Sequence, residues 1–272
     1  MTSLIVFDID GTLIPKETHT LAEETRAALL ELKSRDILLA VASGRQFSTI
    51  QEEIKAIGFD FYLCANGSCI TDGTGLPIRV FPFTEAEALG LTQDAIQRGM
   101  SMMFRYIEGG VQVNPNAVAP GYGSSFFSKA QLKKLQSAAP PTIAPGELPY
   151  AGLCHLEEDD LEYFQQAYPG LRFTVTAGGE LCDINRMEVS KGSALCFLAD
   201  YLQIPMEETM GMGDDRNDIE LIRNAGIGIA MGNAVEDVKA AANYITTPCL
   251  ELGVVNALRH YQLIHWKGIL QL

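Results

Sequence analysis

Two aspartates stand where an apolar run stops. Leu4-Ile5-Val6-Phe7 leads directly into Asp8-Ile9-Asp10-Gly11-Thr12. Four successive apolar residues read as a strand covered on both faces. Asp8 ends the run and Gly11 turns the chain out of it. Strand residues two apart point to the same side, so the two carboxylates would lie side by side. Such neighbours repel unless a cation sits between them, and a hard divalent ion with oxygen ligands, Mg²⁺, suits the pair. Asp-x-Asp-Gly is also common in ordinary surface turns. An EF-hand loop is excluded, because Thr12, Leu13 and His19 stand where its next ligand, its glycine and its closing glutamate would be.

The elements that would position further chemistry follow the same pattern. Residues 37–42 form an apolar run ending at Ser43-Gly44-Arg45, residues 61–65 one ending at Asn66-Gly67, and residues 209–213 one ending at Asp214-Asp215. Residues 226–231 and 244–246 read as later strands. Helical patterns fall between them. Thr20-Leu21-Ala22-Glu23 has the form of a capping box ahead of Ala28, Leu29 and Leu32. Ile50, Ile54 and Ile57 mark a second helix. Ser190 can cap a third carrying Ala194, Leu195, Leu198 and Leu202, and Val235, Val238 and Ala241 mark a fourth. Strands alternating with helices predict an α/β fold, a doubly wound parallel sheet with helices on both faces.

Ligands of such sheets bind at the carboxyl ends of the strands. The residues collected there are Asp8, Asp10, Ser43, Asn66, Asp214, Asn217 and Asp218, with Lys191 at a helix start. Carboxylates for Mg²⁺, with hydroxyl, amide and ammonium for phosphate oxygens, suit phosphoryl transfer. Ser43 could instead cap a helix, a lesser alternative, and Lys191 alone would be a solvated helix lysine. Asp215 reads as a turn acid. No Gly-x-x-x-x-Gly-Lys-Ser/Thr is present, so the chain is not a P-loop protein. The four histidines have no ligand or triad spacing, and the Gly-x-Gly pairs at 211–213 and 226–228 read as strand glycines.

Between about Pro82 and Asp183 the pattern changes to Gly- and Pro-rich turns and alternating segments, such as 101–107 and 172–176, with one helix over 157–168. Pro140, Pro141, Pro145 and Pro149 punctuate this stretch. It reads as an inserted α+β domain. The expected organisation is core 1–81, insertion 82–184 and core 185–272.

The bulk properties narrow the partners. The chain has 272 residues, 47% hydrophobic and 20% charged, with a formal charge of −14. These values are globular. Such acidity argues against nucleic acid and against an anionic membrane surface. A phosphorylated small molecule would need a metal and local Lys or Arg to reverse the field. The six cysteines are scattered without Cys-x-x-Cys and read as reduced core residues. No leader-like segment opens the chain and no apolar run approaches about 18 residues, so a cytoplasmic protein is expected, as monomer or homodimer.

The residues also resemble a family. Asp8-Ile9-Asp10-Gly11-Thr12, Ser43-Gly44-Arg45, Asn66-Gly67, Lys191-Gly192 and Gly213-Asp214-Asp215-Arg216-Asn217-Asp218, in this order, are similar to the haloacid dehalogenase superfamily of phosphohydrolases, in its Cof-like branch with a large inserted α/β cap. Residues 230–234 and 238–242 match the branch too. The likeness covers roughly residues 1–80 and 185–260.

It implies that Asp8 is the nucleophile, giving an aspartyl-phosphate, and that Asp10 is the general acid and then base, its backbone carbonyl also binding Mg²⁺. Asp214 would be a metal ligand and Asp218 an outer one. Ser43, Lys191, Asn217, Thr12 and Asn66 would contact the phosphoryl group or its surroundings. The branch often has an acid where this chain has Leu252 and alanine where it has Ser68.

The implied function is a Mg²⁺-dependent phosphatase of small phosphorylated metabolites, either sugar phosphates or phosphorylated cofactors. Alternatives are a sugar phosphomutase, a receiver-like signalling domain and an inactive phosphate-binding protein. The cap is expected to set specificity, with Glu180 and Arg186 as candidate contacts to the leaving group.

Overall fold

The computed structural model describes residues 2–107, 109–113, 148–156, 158–175 and 181–265, with backbone only at 158 and 159. The chain divides into two compact units, Met1–Ile78 with Ser190–Leu272, and Arg79–Val189. Pro140, Pro141, Pro145 and Glu180 lie outside the described residues.

The first unit begins with β1 (Leu4–Phe7), fully buried along its length. It continues through α1 (Glu23–Lys33), β2 (Leu38–Ala42), the short α2 (Glu52–Lys55), β3 (Phe61–Cys64), β4 (Cys69–Asp72) and the start of β5 (Pro77–Val80), whose last two residues belong to the second unit. The expected Thr20 capping box does not form. The residue before α1 is Ala22, without a side-chain cap, and the Thr20 hydroxyl donates to the Thr18 carbonyl instead. Asn66 and Gly67 have φ of 57° and 98°. Left-handed backbone there reverses the chain, so β4 pairs antiparallel with β3, Cys64 opposite Cys69. The sheet is therefore mixed at one edge. Pro77 opens β5, the edge strand, where a missing N–H costs no ladder bond.

The second unit holds α3 (Glu85–Gln97), β6 (Met102–Tyr106), β7 (Gly109–Val113), β8 (Ala151–Cys154), α4 (Glu158–Ala167), β9 (Leu171–Val175) and β10 (Cys182–Arg186). Its strands form an antiparallel sheet in the order β7-β6-β8-β10-β9. Phe104, Cys154, Phe173 and Ile184 on the strands pack with Leu91 of α3 and Phe164 of α4. The sequence reading expected one helix here, α4. The second, α3, has a true capping box: Thr84 accepts from the Glu87 N–H and Glu87 accepts from the Thr84 N–H. Its buried face is built largely of small residues, Ala88 and Ala95 around Leu91, which leave a weak periodic signal.

The chain returns to the first unit with α5 (Lys191–Leu202), β11 (Thr209–Gly213), α6 (Ile219–Asn224), β12 (Ile227–Ala230), α7 (Glu236–Ala241), β13 (Tyr244–Ile245) and α8 (Gly253–His260). The large sheet runs β13-β12-β11-β1-β2-β3-β4-β5. β1 lies between β2 and β11, parallel to both, with Phe7 opposite Val41 and Met212. A strand with parallel neighbours and both faces covered has no solvent side, which explains its unbroken apolar sequence. The carboxyl ends of β1, β2, β3 and β11 thus share one edge. Among the described residues no helix is long and apolar enough to cross a membrane.

Candidate active site

The site is built where β1 and β11 end and α5 begins, all within the first unit. After Phe7 the chain turns at once. The Ile9 carbonyl accepts from the N–H groups of Leu13 and Ile14, at 3.0 and 2.8 Å, and the Gly11 N–H donates to the Ile14 carbonyl at 2.7 Å. Gly11 has φ +99°, and a Cβ there would lie 2.2 Å from Asp214 Oδ2. Only glycine fits both the turn and the approach of the carboxylate.

Lys191 is the first residue of α5, whose start is fixed by a capping box between Ser190 and Ser193. Ser190 also donates to Glu220 through its hydroxyl. The cap aims the Lys191 ammonium inward, where Nζ donates to Asp8 Oδ1 and to Asp218 Oδ1, each at 2.6 Å. Lys191 is 1% exposed, so the solvated-lysine alternative is excluded. Asp218 uses its other oxygen to accept from the backbone N–H groups of Asp214 and Asp215, at 3.0 and 3.1 Å. It therefore locks the loop after β11 and leaves Asp214 facing the cluster. Thr12 donates to Asp214 Oδ1 at 3.5 Å.

Among the described residues, Asp8, Asp214 and Asp218 each place a carboxylate oxygen within 4.8 Å of the others. Three buried carboxylates face the Lys191 ammonium, an excess of two negative charges. Burial pushes Asp8 well above the usual carboxylate range; Lys191 opposes this, while Asp218, Asp214 and Asp10 add to it. Burial also raises Asp214, to about 6, against the pull of Lys16. Burial works against the Lys191 ammonium, but Asp218 and Asp8 outweigh it and hold the group above its ordinary value. Carboxylates whose ionised form is disfavoured by burial and by one another are what a divalent cation would relieve. The donor set is all oxygen, matches Mg²⁺ in charge, and lies at the strand ends. The residues fit the ion, with Asp8 and Asp214 as the side chains able to hold it.

The other sequence-read residues lie around this centre. Asp10 directs its side chain into a bidentate pair with Arg45, Nε to Oδ2 and Nη2 to Oδ1, each 2.8 Å. Asn217 donates to Asn66 Oδ1 at 3.0 Å, joining the end of β3 to the loop after β11. Ser43 is buried and its Oγ accepts from the Arg45 N–H at 3.2 Å. Its backbone carbonyl accepts from the Asn66 N–H at 2.9 Å. Asp215 accepts from the Arg216 N–H, as a turn acid would.

Arg186, expected as a candidate cap contact, pairs with Glu87 at 3.4 Å and Glu188 at 3.0 Å. Leu252, the departure from the branch pattern, has φ 59° and opens α8. Ser68 is fully buried.

Three residues of the site were missed from sequence. Lys16 donates to Asp214 Oδ2 at 2.8 Å. Arg45 holds Asp10. Asn233 donates to the Gly11 carbonyl at 2.9 Å and to Asp214 Oδ2 at 3.4 Å, and accepts from the Cys249 N–H. Arg45 and Asn233 sat inside quoted motifs, and proximity to a strand end was the only signal for either. Lys16 had none.

The family profile of haloacid dehalogenase-like hydrolases matches residues 5–258. The chain is 29% identical over 264 residues to the 5-amino-6-(5-phospho-D-ribitylamino)uracil phosphatase YcsE of Bacillus subtilis, covering 96% of each chain. It is 29% identical over 280 residues to an HMP-PP phosphatase of Escherichia coli, covering 98% of this chain and 96% of the relative. Among solved structures it is similar to the haloacid dehalogenase subclass IIB sugar phosphatase BT4131, with TM-score 0.81 and 26% identity over 97% of this chain and 100% of the other. The profile spans both the β1 turn and the loop after β11, the two segments that supply the carboxylates, and the chain belongs to the haloacid dehalogenase-like hydrolases.

Proposed function

We propose that the protein is a Mg²⁺-dependent phosphatase of small phosphorylated metabolites that works through an aspartyl-phosphate on Asp8. The observation that carries this reading is the carboxylate cluster, three buried acids against one buried ammonium, Lys191. A phosphate dianion cannot approach such a cluster unless positive charge is added. Bound at Asp8 and Asp214, Mg²⁺ would supply that charge and polarise the phosphoryl oxygens.

The chain's own residues carry the steps. Asp8 attacks phosphorus through a carboxylate oxygen as the bond to the leaving alcohol breaks. Lys191, held between Asp8 and Asp218, fixes the nucleophile's orientation and offsets charge gathered in the transition state. Asp10, once it has left its pair with Arg45, gives the leaving oxygen its proton, then takes one from the water that opens the acyl-phosphate. Ser43, Thr12, Asn66 and Asn217 supply donors around the phosphoryl oxygens. The inserted unit, Arg79–Val189, selects the leaving group. This part of the reading is supported by its place in the chain, from within β5 to the residue just before the one that caps α5.

The relatives named above act on a phosphorylated ribitylaminouracil, on HMP-PP and on sugar phosphates. These support a phosphorylated sugar or cofactor precursor as the substrate class. The test is release of inorganic phosphate from a panel of such metabolites, with Mg²⁺ and with excess chelator. Release with Mg²⁺ and none with chelator is expected. Full release in chelator would remove the metal, and isomerised sugar phosphate in place of inorganic phosphate would make the enzyme a mutase.

A further inference from the structure

Lys16 has no role in the proposed chemistry. It follows the Gly11 turn, whose backbone bonds anchor the chain just ahead of it. Its ammonium lies 2.8 Å from Asp214 Oδ2 and 4.0 Å from Asp215 Oδ2. The Lys16 side chain is 49% exposed, while Asp214 is 3% exposed.

We propose that Lys16 is a tethered cation that occupies Asp214 until a divalent ion displaces it, and so sets the metal concentration at which the site loads. The inference rests on the Mg²⁺ reading above.

Three observations carry it. The first is charge. The cluster lacks two positive charges, and Lys16 supplies one of them from the open side. The second is the atom contacted. Thr12 donates to Asp214 Oδ1, while Lys16 takes Oδ2. An ammonium and a divalent ion bound at one carboxylate compete for the same lone pairs and repel each other. The third is the contrast with Lys191, which is fully buried and pinned by two carboxylates. Lys191 cannot leave without stranding a charge in the interior. Lys16 has four methylenes half in water and can swing its ammonium into solvent at little cost. Of the two ammonium groups at the cluster, Lys16 is therefore the displaceable one.

The test uses the full chain stripped of metal, as wild type, Lys16→Met and Lys16→Arg, titrated with MgCl₂ alone by calorimetry. Lys16→Met should bind Mg²⁺ about three- to tenfold more tightly, the range a partly exposed ion pair can contribute. Lys16→Arg should stay near wild type. Reductive methylation followed by peptide mass spectrometry gives a second readout. Saturating Mg²⁺ should speed labelling of Lys16 and leave Lys33, paired elsewhere with Asp60, unchanged. Wild-type affinity in Lys16→Met, or Lys16 labelling unaffected by Mg²⁺, would overturn the role of Lys16 while leaving the metal site standing. No Mg²⁺ binding to any of the three proteins would overturn both.

Discussion

In the second unit the buried charged residues, among those described, are Arg105 on β6 and Asp183 on β10, 3.4 Å apart across β8. In the first unit they are Asp8, Asp214, Asp218 and Lys191. The second unit buries one charge of each sign, while the first buries three of one sign against one of the other. A buried pair can be neutral in energy if it is well hydrogen-bonded, but an unmatched buried charge is costly. Folding alone would not select the imbalance at the end of β1. It makes sense as a place where a cation and a phosphoryl group complete the structure, at a cost to the fold that ligands offset.

The largest expected contrast is between Asp8→Asn and Asp183→Ala. Asp8→Asn should abolish turnover, because an amide cannot form the acyl-phosphate, yet leave the melting temperature unchanged or higher by easing repulsion in the cluster. Asp183→Ala removes the buried carboxylate that Arg105 meets at 3.4 Å and should cost up to about 3–5 kcal/mol in urea unfolding. Equal loss of stability in both variants would erase the distinction between the two units.

Next in size is Lys191→Met. It leaves the buried Asp8 and Asp218 without their shared ammonium, and a loss of about 3–5 kcal/mol is expected in chelator. Mg²⁺ should restore part of that stability, and should restore none in Asp183→Ala. Thermal melts with and without the ion make the comparison.

Gly11→Ala should be milder, about 1–3 kcal/mol, for strain at φ +99° and displacement of Asp214. Its loss in Mg²⁺ affinity, read by calorimetry, should be evident even in protein that remains folded. A Mg²⁺ affinity equal to wild type would mean that Asp214 is not held by that turn.

The smallest effect concerns pH. The folded value of Asp214, about 6, lies above its ordinary 3.8. The folded state therefore keeps its proton longer than the unfolded chain does. This group lowers the stability of metal-free protein as pH rises from about 4 through 6, then levels off. Asp214→Asn removes that burden. The melting temperature of the variant minus that of wild type, in chelator, should grow across this window. A flat difference would place Asp214 in a less demanding environment than its burial implies.

What the sequence revealed, and what it hid, follows the same physics. β1, β2, β3 and β11 were legible because parallel strands buried on both faces are continuous apolar runs, and the polar residue ending each run marks the sheet edge. That one rule located Asp8, Ser43, Asn66 and Asp214. Lys191 was legible through Ser190, whose cap fixes the first residue of α5.

The antiparallel β4 was hidden, because its reversal depends on left-handed backbone at Asn66 and Gly67 rather than on hydrophobic period. The helix α3 was hidden by its alanine-rich face. Thr20 shows the opposite error, a capping pattern unused because α1 starts after Ala22. Lys16 carries no pattern at all, and Arg45 only its place in the polar segment that ends β2. Each matters through the one carboxylate it meets, and that meeting is made by the turn after β1 and by the register of β2.

The most direct test of the account is to quench the enzyme during turnover, reduce it with borohydride and sequence its peptides by mass spectrometry. Reduction converts an aspartyl-phosphate into homoserine. The account predicts homoserine at position 8, dependent on both substrate and Mg²⁺. Sustained turnover with unmodified Asp8, or with the reduced residue at another aspartate, would contradict it.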